Sequence, residues 1–232
     1  MAPRLADVAS EMQPTLDPVD AVAEANHRIA NNLSIIAGYV RSELSSFNPE
    51  SAPDIRLIRQ SLQELSLRID AIGRLHRLLT SAPDESSVEI SAYLREIAEA
   101  VRCSLPGSKN PDMLFLLDAQ VLLPATQAVV IGAIVSEALF NSVKHAHPQG
   151  VRPTICIGCR RLRSDRLLIE VEDDGISWPH VLAGDTIRTG GAGTQLMRTL
   201  ARSLNAGLEF ADANPGYAVR IDLPVSDRPL QP

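Results

Sequence analysis

Between Ile55 and Leu79 the residues Ile55, Ile58, Leu62, Leu65, Ile69, Ile72, His76 and Leu79 recur at alternating spacings of three and four. This is an a/d heptad seam, which a helix presents as one continuous stripe. Pro83 ends it. The preceding segment, about Asp17 to Phe47, carries its own stripe of Val22, Ala25, Ile29, Leu33, Ile36, Val40 and Leu44. Pro18 is acceptable in the first turn of that helix. The stretch N-P-E-S-A-P-D from Asn48 separates the two helices as a loop. Two long helices joined by a short loop form an αα-hairpin. One hairpin leaves much of both stripes uncovered, so the pattern predicts a homodimer in which two hairpins build a four-helix bundle. His76 falls on the seam itself and reads as packed.

A second histidine does not. Residues 24–33 read E-A-N-H-R-I-A-N-N-L. At about 100° per residue, His27 lies about 200° from Ala25 and Ile29, so it points away from the apolar stripe. Glu24 and Asn31, three before and four after it, share its outward face. A histidine on the outside of a rigid helix is open to chemistry, although a solvated face carrying a lone histidine has the same pattern.

Composition narrows the rest. The chain has 232 residues, with aromatics only 3 %, so its core must be aliphatic, as in helix bundles and α/β layers. A formal charge of −6 without a Lys/Arg run argues against a nucleic-acid partner. No apolar run approaches the length of a membrane span, and M-A-P-R-L-A-D-V is no secretory leader, so no membrane association and a cytoplasmic location are expected. Three cysteines, Cys103, Cys156 and Cys159, are present. Cys156-x-x-Cys159 has no second pair to complete a metal shell. It also falls in a strand, where residues three apart face opposite sides. Core cysteines in a reducing compartment are expected. Residues 1–15 and 226–232 read as tails.

After S-A-P-D-E-S-S the pattern changes. It predicts a helix over Ile90–Leu105, closed by Pro106-Gly107, then short strands Met113–Leu117 and Gln120–Leu123 around a turn at Asp118. A long apolar helix, Pro124–Ala146, precedes hairpin strands Thr154–Cys159 and Arg166–Asp173. A polar loop runs to Gly193, a helix to about Asn205, and strands cover Leu208–Ala211 and Ala218–Leu223. Mixed helices and strands of this order predict an α/β sandwich with a mixed sheet over residues 88–225, after a helical domain over 16–83.

Three features of this second part carry chemistry. On the apolar helix, Glu137, Asn141 and Lys144 occupy one face, with His145 beside them. Burying such groups is expensive unless they meet partners, and a Glu, an amide oxygen and a Lys in a row suit a hydrated Mg²⁺ with its phosphates. Lys144 and His145, near the helix end, are equally compatible with a solvated face. Next, Val171-Glu172-Asp173-Asp174-Gly175 ends a strand with an acidic pair and a glycine, a geometry that aims a carboxylate into a cleft. Last, Gly190-Gly191-Ala192-Gly193-Thr194 opens into a helix whose free N–H groups and dipole favour phosphate.

In this order, E-A-L-F-N-S-V-K-H-A, D-D-G and G-G-A-G-T-Q-L-M resemble the N, G1 and G2 boxes of the Bergerat-fold (GHKL) ATPases. E-A-N-H-R-I-A-N-N-L, together with R-I-D-A-I-G-R-L-H-R-L-L in the second helix, resembles the two-component sensor histidine kinases whose motif is H-R-x-x-N-N-L, a subgroup related to the HWE kinases. The W-x-E element of the HWE group proper is missing near Ile169–Glu172, so the sister subgroup fits better. The resemblance implies an α+β chain: a dimeric four-helix bundle followed by a Bergerat-type sandwich. It implies ATP-dependent autophosphorylation of His27, with Glu24 or Asn31 fixing the imidazole tautomer, and transfer to an aspartate on a response regulator receiver domain. Asn141 would hold Mg²⁺, Glu137 would orient water or metal, and Lys144 would contact phosphate. Asp173 would bind the adenine amino group, while Gly175, Gly191 and Gly193 shape the pocket and lid. His145 and Thr194 complete the expected ATP-binding set. Ser177 replaces the second glycine of D-x-G-x-G, and Trp178–Thr189 is short for a lid and lacks an F-box phenylalanine. Those departures keep an alternative open: a non-catalytic histidine phosphotransferase, or a response-regulator phosphatase, with a degenerate ATPase domain used for docking. No sensor or receiver domain is expected within the chain, so its signal would come from a separate sensor protein, the N-terminus or a domain outside it.

Overall fold

The computed structural model describes residues 33–41 and 44, helical residues between 55 and 73, and residues 87–105, 110–147, 149–163, 165–176 and 192–225. The seam positions Ile72, His76 and Leu79, the inter-helix loop and both expected tails lie outside the described residues.

The second part of the chain is a two-layer structure. Its elements are β1 (Ser87–Glu89), α1 (Ile90–Ser104), β2 (Asp112–Leu117), β3 (Leu122–Pro124), α2 (Ala125–His145), β4 (Thr154–Arg163), β5 (Arg166–Asp173), α3 (Ala192–Ser203), β6 (Gly207–Asp212) and β7 (Tyr217–Pro224). A five-stranded sheet in the order β2-β4-β5-β7-β6 forms one layer. β2 runs parallel to β4, and the other pairs are antiparallel, so the sheet is mixed. The helices form the other layer, with α2 between α1 and α3.

Period-two patterning puts the core on one side of this sheet. In β5, Leu167, Ile169 and Val171 are buried, as are Ile155, Ile157 and Cys159 of β4 and Val219, Ile221 and Leu223 of β7. The other side carries charge. Glu170 is directly opposite Arg220 and paired with it, and Arg166 reaches Asp222 at 2.8 Å. Glu89 caps α1, accepting from the N–H groups of Ser91 and Ala92 at 2.9 and 2.6 Å.

The strands near 113–117 and 120–123, expected on either side of a turn at Asp118, belong to different sheets and do not pair with each other. Both Asp118 N–H and Ala119 N–H bond to the Cys159 carbonyl, which carries the chain past β4 instead of back along β2. β2 therefore becomes a parallel edge, and β3 pairs with β1, with Val88 opposite Leu123. β1 is only three residues long, too short to show alternation in the sequence.

The long apolar helix also needs a correction. Residues 125–145 are long and apolar enough to cross a membrane by length and composition, with mean hydropathy 1.4, contrary to the expectation that no run approaches that length. Of the relevant window, 72 % is buried inside the protein, so this is a core helix packed on both flanks and on the sheet. Among the cysteines, Cys159 is buried, and burial pushes its thiol up to about 12. Cys156 is half-buried on the other face of the sheet and Cys103 is exposed, so only one of the three is a core cysteine.

The first helix buries a face that its stripe does not mark. Ile35 and Tyr39 are each 3 % exposed and join the core of the sheet-containing part, whereas Leu33, Val40 and Leu44 of the stripe are exposed. Tyr39 Oη donates to the Ala133 carbonyl of α2 at 3.2 Å. From the second helix, Leu65 packs against the same core, while Ile55 and Leu62 of the seam are exposed.

Candidate functional site

A cavity of about 270 Å³ opens between α2, the end of β5, the start of α3 and strands β6 and β7. It is near the lower end of the size range for small-ligand pockets. α2 contributes Ala138, Asn141, Ser142 and His145; α3 contributes Thr194 and Met197. Phe210, Tyr217 and Val219 supply an apolar wall, with Phe210 and Tyr217 stacked at 6.4 Å between centroids.

The carboxylate in this wall is Asp173. It follows Leu167, Ile169 and Val171 on the inward register of β5, so the strand's own alternation points it to the core side, and it is 5 % exposed. Gly175 N–H donates to its Oδ1 at 3.1 Å, and Ser142 and the Tyr217 backbone also bond to it. Burial raises the Asp173 carboxyl above its ordinary 3.8; these hydrogen bonds pull the other way, and the neighbouring Asp174 charge adds to the rise. Burial wins because the wall around it is apolar.

The next residue points out and locks the turn. Asp174 Oδ1 accepts from Thr154 N–H at 2.9 Å and meets His147 Nε2 at 3.0 Å. Partial burial disfavours its charge, but the Thr154 and His147 bonds overcome that and hold the carboxyl below its ordinary value. Gly175 then passes so close to Ala146 that a Cβ would overlap the Ala146 backbone, and Ile176 N–H bonds the Ala146 carbonyl at 2.8 Å. D-D-G thus splits its labour: one carboxylate faces the cavity, the other holds the turn, and the glycine lets the turn close on α2.

Glu137 is 2 % exposed, and Gly193 in the first turn of α3 lies directly against its carboxylate. No acidic residue stands in that first turn, which leaves its N–H groups and dipole suited to an anion. Lys144 and His145 are exposed, as a solvated helix end allows; His145 nonetheless lines the cavity, and Lys144 is not among its lining residues. Of the residues expected from the sequence, Asn141, His145, Asp173 and Thr194 line the cavity, while Glu137, Gly175 and Gly193 are sequence neighbours of lining residues and do not line it themselves. Gly191, His27, Glu24, Asn31 and Ser177 lie outside the described residues. Sequence reasoning missed Ser142, Met197, Phe210, Tyr217 and Val219. Ser142 was signalled only by adjacency to Asn141, and the strand residues carried no local signal.

Among the described residues no group of three or more His, Cys, Asp or Glu side chains could hold a metal ion. Asn141 at the cavity and the buried Glu137 behind it form a sparse oxygen set. That suits Mg²⁺, which keeps several waters and takes ligands from substrate phosphates.

Comparison with known proteins follows the same lines. Residues 24–105 match the histidine kinase family HisKA_2. Over 211 residues, 89 % of this chain, the sequence is 26 % identical to blue-light-activated histidine kinase 2 of Erythrobacter litoralis, covering 58 % of that protein. Over 210 residues it is 24 % identical to the sensor histidine kinase PdtaS of Mycolicibacterium smegmatis, covering 40 % of it. The chain thus spans about half the length of these curated relatives. Its fold is similar to that of the blue-light activated histidine kinase EL346 of E. litoralis, with TM-score 0.61 and 26 % identity over 90 % of this chain and 64 % of that one. The catalytic domain of histidine kinase ThkA, at 14 % identity and TM-score 0.50, shares the fold over 61 % of this chain and 95 % of its own.

Proposed function

We propose that the chain, whose residues 24–105 match the histidine kinase family, is a histidine kinase that uses ATP to phosphorylate His27 and passes the phosphoryl group to an aspartate of a response regulator receiver domain. The observation that carries this reading is the Asp173 carboxylate, buried in an apolar cavity that opens onto the acid-free first turn of α3. An acceptor in an apolar wall selects a flat ring that donates an amino hydrogen, as adenine does. The helix N-terminus then favours the attached phosphates.

In the reaction an imidazole nitrogen of His27 attacks the γ-phosphorus in line, a P–N bond forms and the bond to the β-phosphate oxygen breaks, releasing ADP. Near pH 7 an unperturbed imidazole, with pKa ~6.5, is largely neutral and nucleophilic, so no strong base is needed. Glu24 or Asn31 holds the tautomer, and the displaced ring proton passes to the Glu24 carboxylate or to solvent. Asn141 would hold a Mg²⁺ ion bound with the nucleotide and Glu137 would orient water or the metal, and the ion would supply charge neutralisation at the phosphates. Lys144, His145 and Thr194 bind the phosphate end, with Gly175, Gly191 and Gly193 shaping the wall. Most of the rate comes from positioning.

In this reading, residues 16–83 are the dimerisation and phosphotransfer domain and 88–225 the ATP-binding domain, with tails at 1–15 and 226–232. The protein acts in the cytoplasm. A homodimer is supported by the exposed Leu33, Leu44, Ile55 and Leu62, which leave apolar stripes for a second hairpin. The signal comes from a separate sensor protein, from the N-terminus or from a domain outside this sequence. Ser177 in place of a glycine favours a second reading, a phosphotransferase or response-regulator phosphatase that does not hydrolyse ATP.

Incubating the chain with γ-labelled ATP and Mg²⁺ separates the two. Acid-labile, base-stable label that disappears in His27→Ala and Asp173→Asn supports the kinase. No nucleotide binding at millimolar ATP, with transfer from a phosphorylated donor intact, sinks it in favour of the phosphotransferase. Sedimentation at micromolar protein tests the dimer, and a monomer there overturns it.

A further inference from the structure

The first helix crosses the two helices that frame the nucleotide cavity, and it does so through residues outside its apolar stripe. Tyr39 is buried and bonds the carbonyl of Ala133, one turn before Glu137 on α2. Gly38 faces α3: a Cβ on it would stand 2.8 Å from Leu196 Cδ1, and Leu196 lies two residues after Thr194. Ile35, one turn earlier than Tyr39, is equally buried. Glycine is a poor residue for a helix interior, and a side chain here would have to displace the Leu196 tip.

We propose that Gly38 and Tyr39 are positioning residues that seat the histidine-bearing helix across α2 and α3, setting the distance between His27 and the nucleotide cavity. This rests on the reading of His27 as the phosphoacceptor. Eleven residues separate His27 from Gly38, and on the helical period that the sequence predicts for this segment the two share a face to within about 20°. A shift of the helix at Gly38 therefore carries the acceptor with it. The same two helices meet at Gly193 and Glu137. Stripe residues Leu33, Val40 and Leu44 remain exposed on the opposite side of the helix, available to a second hairpin without disturbing the seam.

The test uses the full chain with Gly38→Val, Tyr39→Phe, Leu196→Ala and the double variant Gly38→Val/Leu196→Ala. Gly38→Val is expected to lower the labelling rate of His27 at saturating ATP by about 10- to 100-fold. The ATP concentration for half-maximal rate stays within about threefold, because no cavity residue changes. Tyr39→Phe, which keeps the ring, lowers the rate less. Leu196→Ala in the double variant makes room for the valine and restores most of the rate, and the two substitutions are non-additive in melting temperature. A wild-type rate in Gly38→Val, a loss of rate explained by lost ATP affinity, or no rescue in the double variant overturns the proposal. If the wild-type chain takes no label at all, the kinase reading fails instead. The melting cycle then judges the seam alone: additive shifts overturn it and coupled shifts support it.

Discussion

Gly193, in the first turn of α3, lies so close to the buried carboxylate of Glu137 that a Cβ at residue 193 would overlap Glu137 Oε1. The two residues are 56 positions apart in sequence, and their approach joins the helix that carries Glu137 and Asn141 to the helix whose acid-free first turn suits an anion.

Gly193→Ala is therefore expected to force α3 and Glu137 apart. Overpacking of this kind costs about 1–3 kcal/mol. A lower midpoint in denaturant, together with weaker nucleotide binding by titration calorimetry, checks it. A variant as stable as the wild type, binding nucleotide equally well, contradicts the contact.

Asp173→Asn separates binding from stability. Losing an ionised acceptor for a donor costs about 1.5–3 kcal/mol, or about 10- to 150-fold in nucleotide affinity. The folded protein should not suffer, because the raised carboxyl of Asp173 means that its charge is held at a cost. The sign follows from linkage: a carboxyl raised on folding favours the native state below its unfolded pKa, and that contribution is lost as pH rises through the raised folded value. In the wild type, nucleotide affinity falls as pH is lowered through that same raised value, which lies above 3.8. Calorimetric titrations over a pH series measure this, and a flat profile across the carboxyl range would argue against Asp173 as the acceptor.

Tyr93→Phe is expected to stabilise the protein or leave it unchanged. Tyr93 is 2 % exposed in α1, and its hydroxyl has no hydrogen-bond partner among the described residues. Burying an unsatisfied hydroxyl costs about 1–3 kcal/mol, which the phenylalanine avoids while keeping the ring. Thermal melting monitored by circular dichroism checks this; a loss above about 1 kcal/mol would mean that the hydroxyl has a partner.

Much of the site was legible in the sequence because its signals are local. Asp173 continues the inward register of Leu167, Ile169 and Val171, so its direction follows from a period of two. Gly193 and Thr194 open a helix, and Glu137 and Asn141 are one turn apart on another. Lys144 shows the limit of the same reasoning: a period puts a residue on a face, yet Lys144 is not among the residues that line the cavity. Phe210, Tyr217 and Val219 were missed for the converse reason. Nothing in their own strands distinguishes a residue that lines a pocket from one that packs in the core.

The amphipathic periods, the helix ends and the inward register of β5 were determined by the sequence alone, since each depends on residues a few positions apart. Tertiary structure decided strand partners and buried faces. β2 pairs with β4 and β3 with β1, instead of with each other, because the chain passes β4 at Asp118. The first helix buries Ile35 and Tyr39 instead of its periodic stripe, because the surface that covers it lies 94 residues further along, at Ala133. A period states which residues travel together on a face; only the distant surface that meets the helix determines which face loses its water.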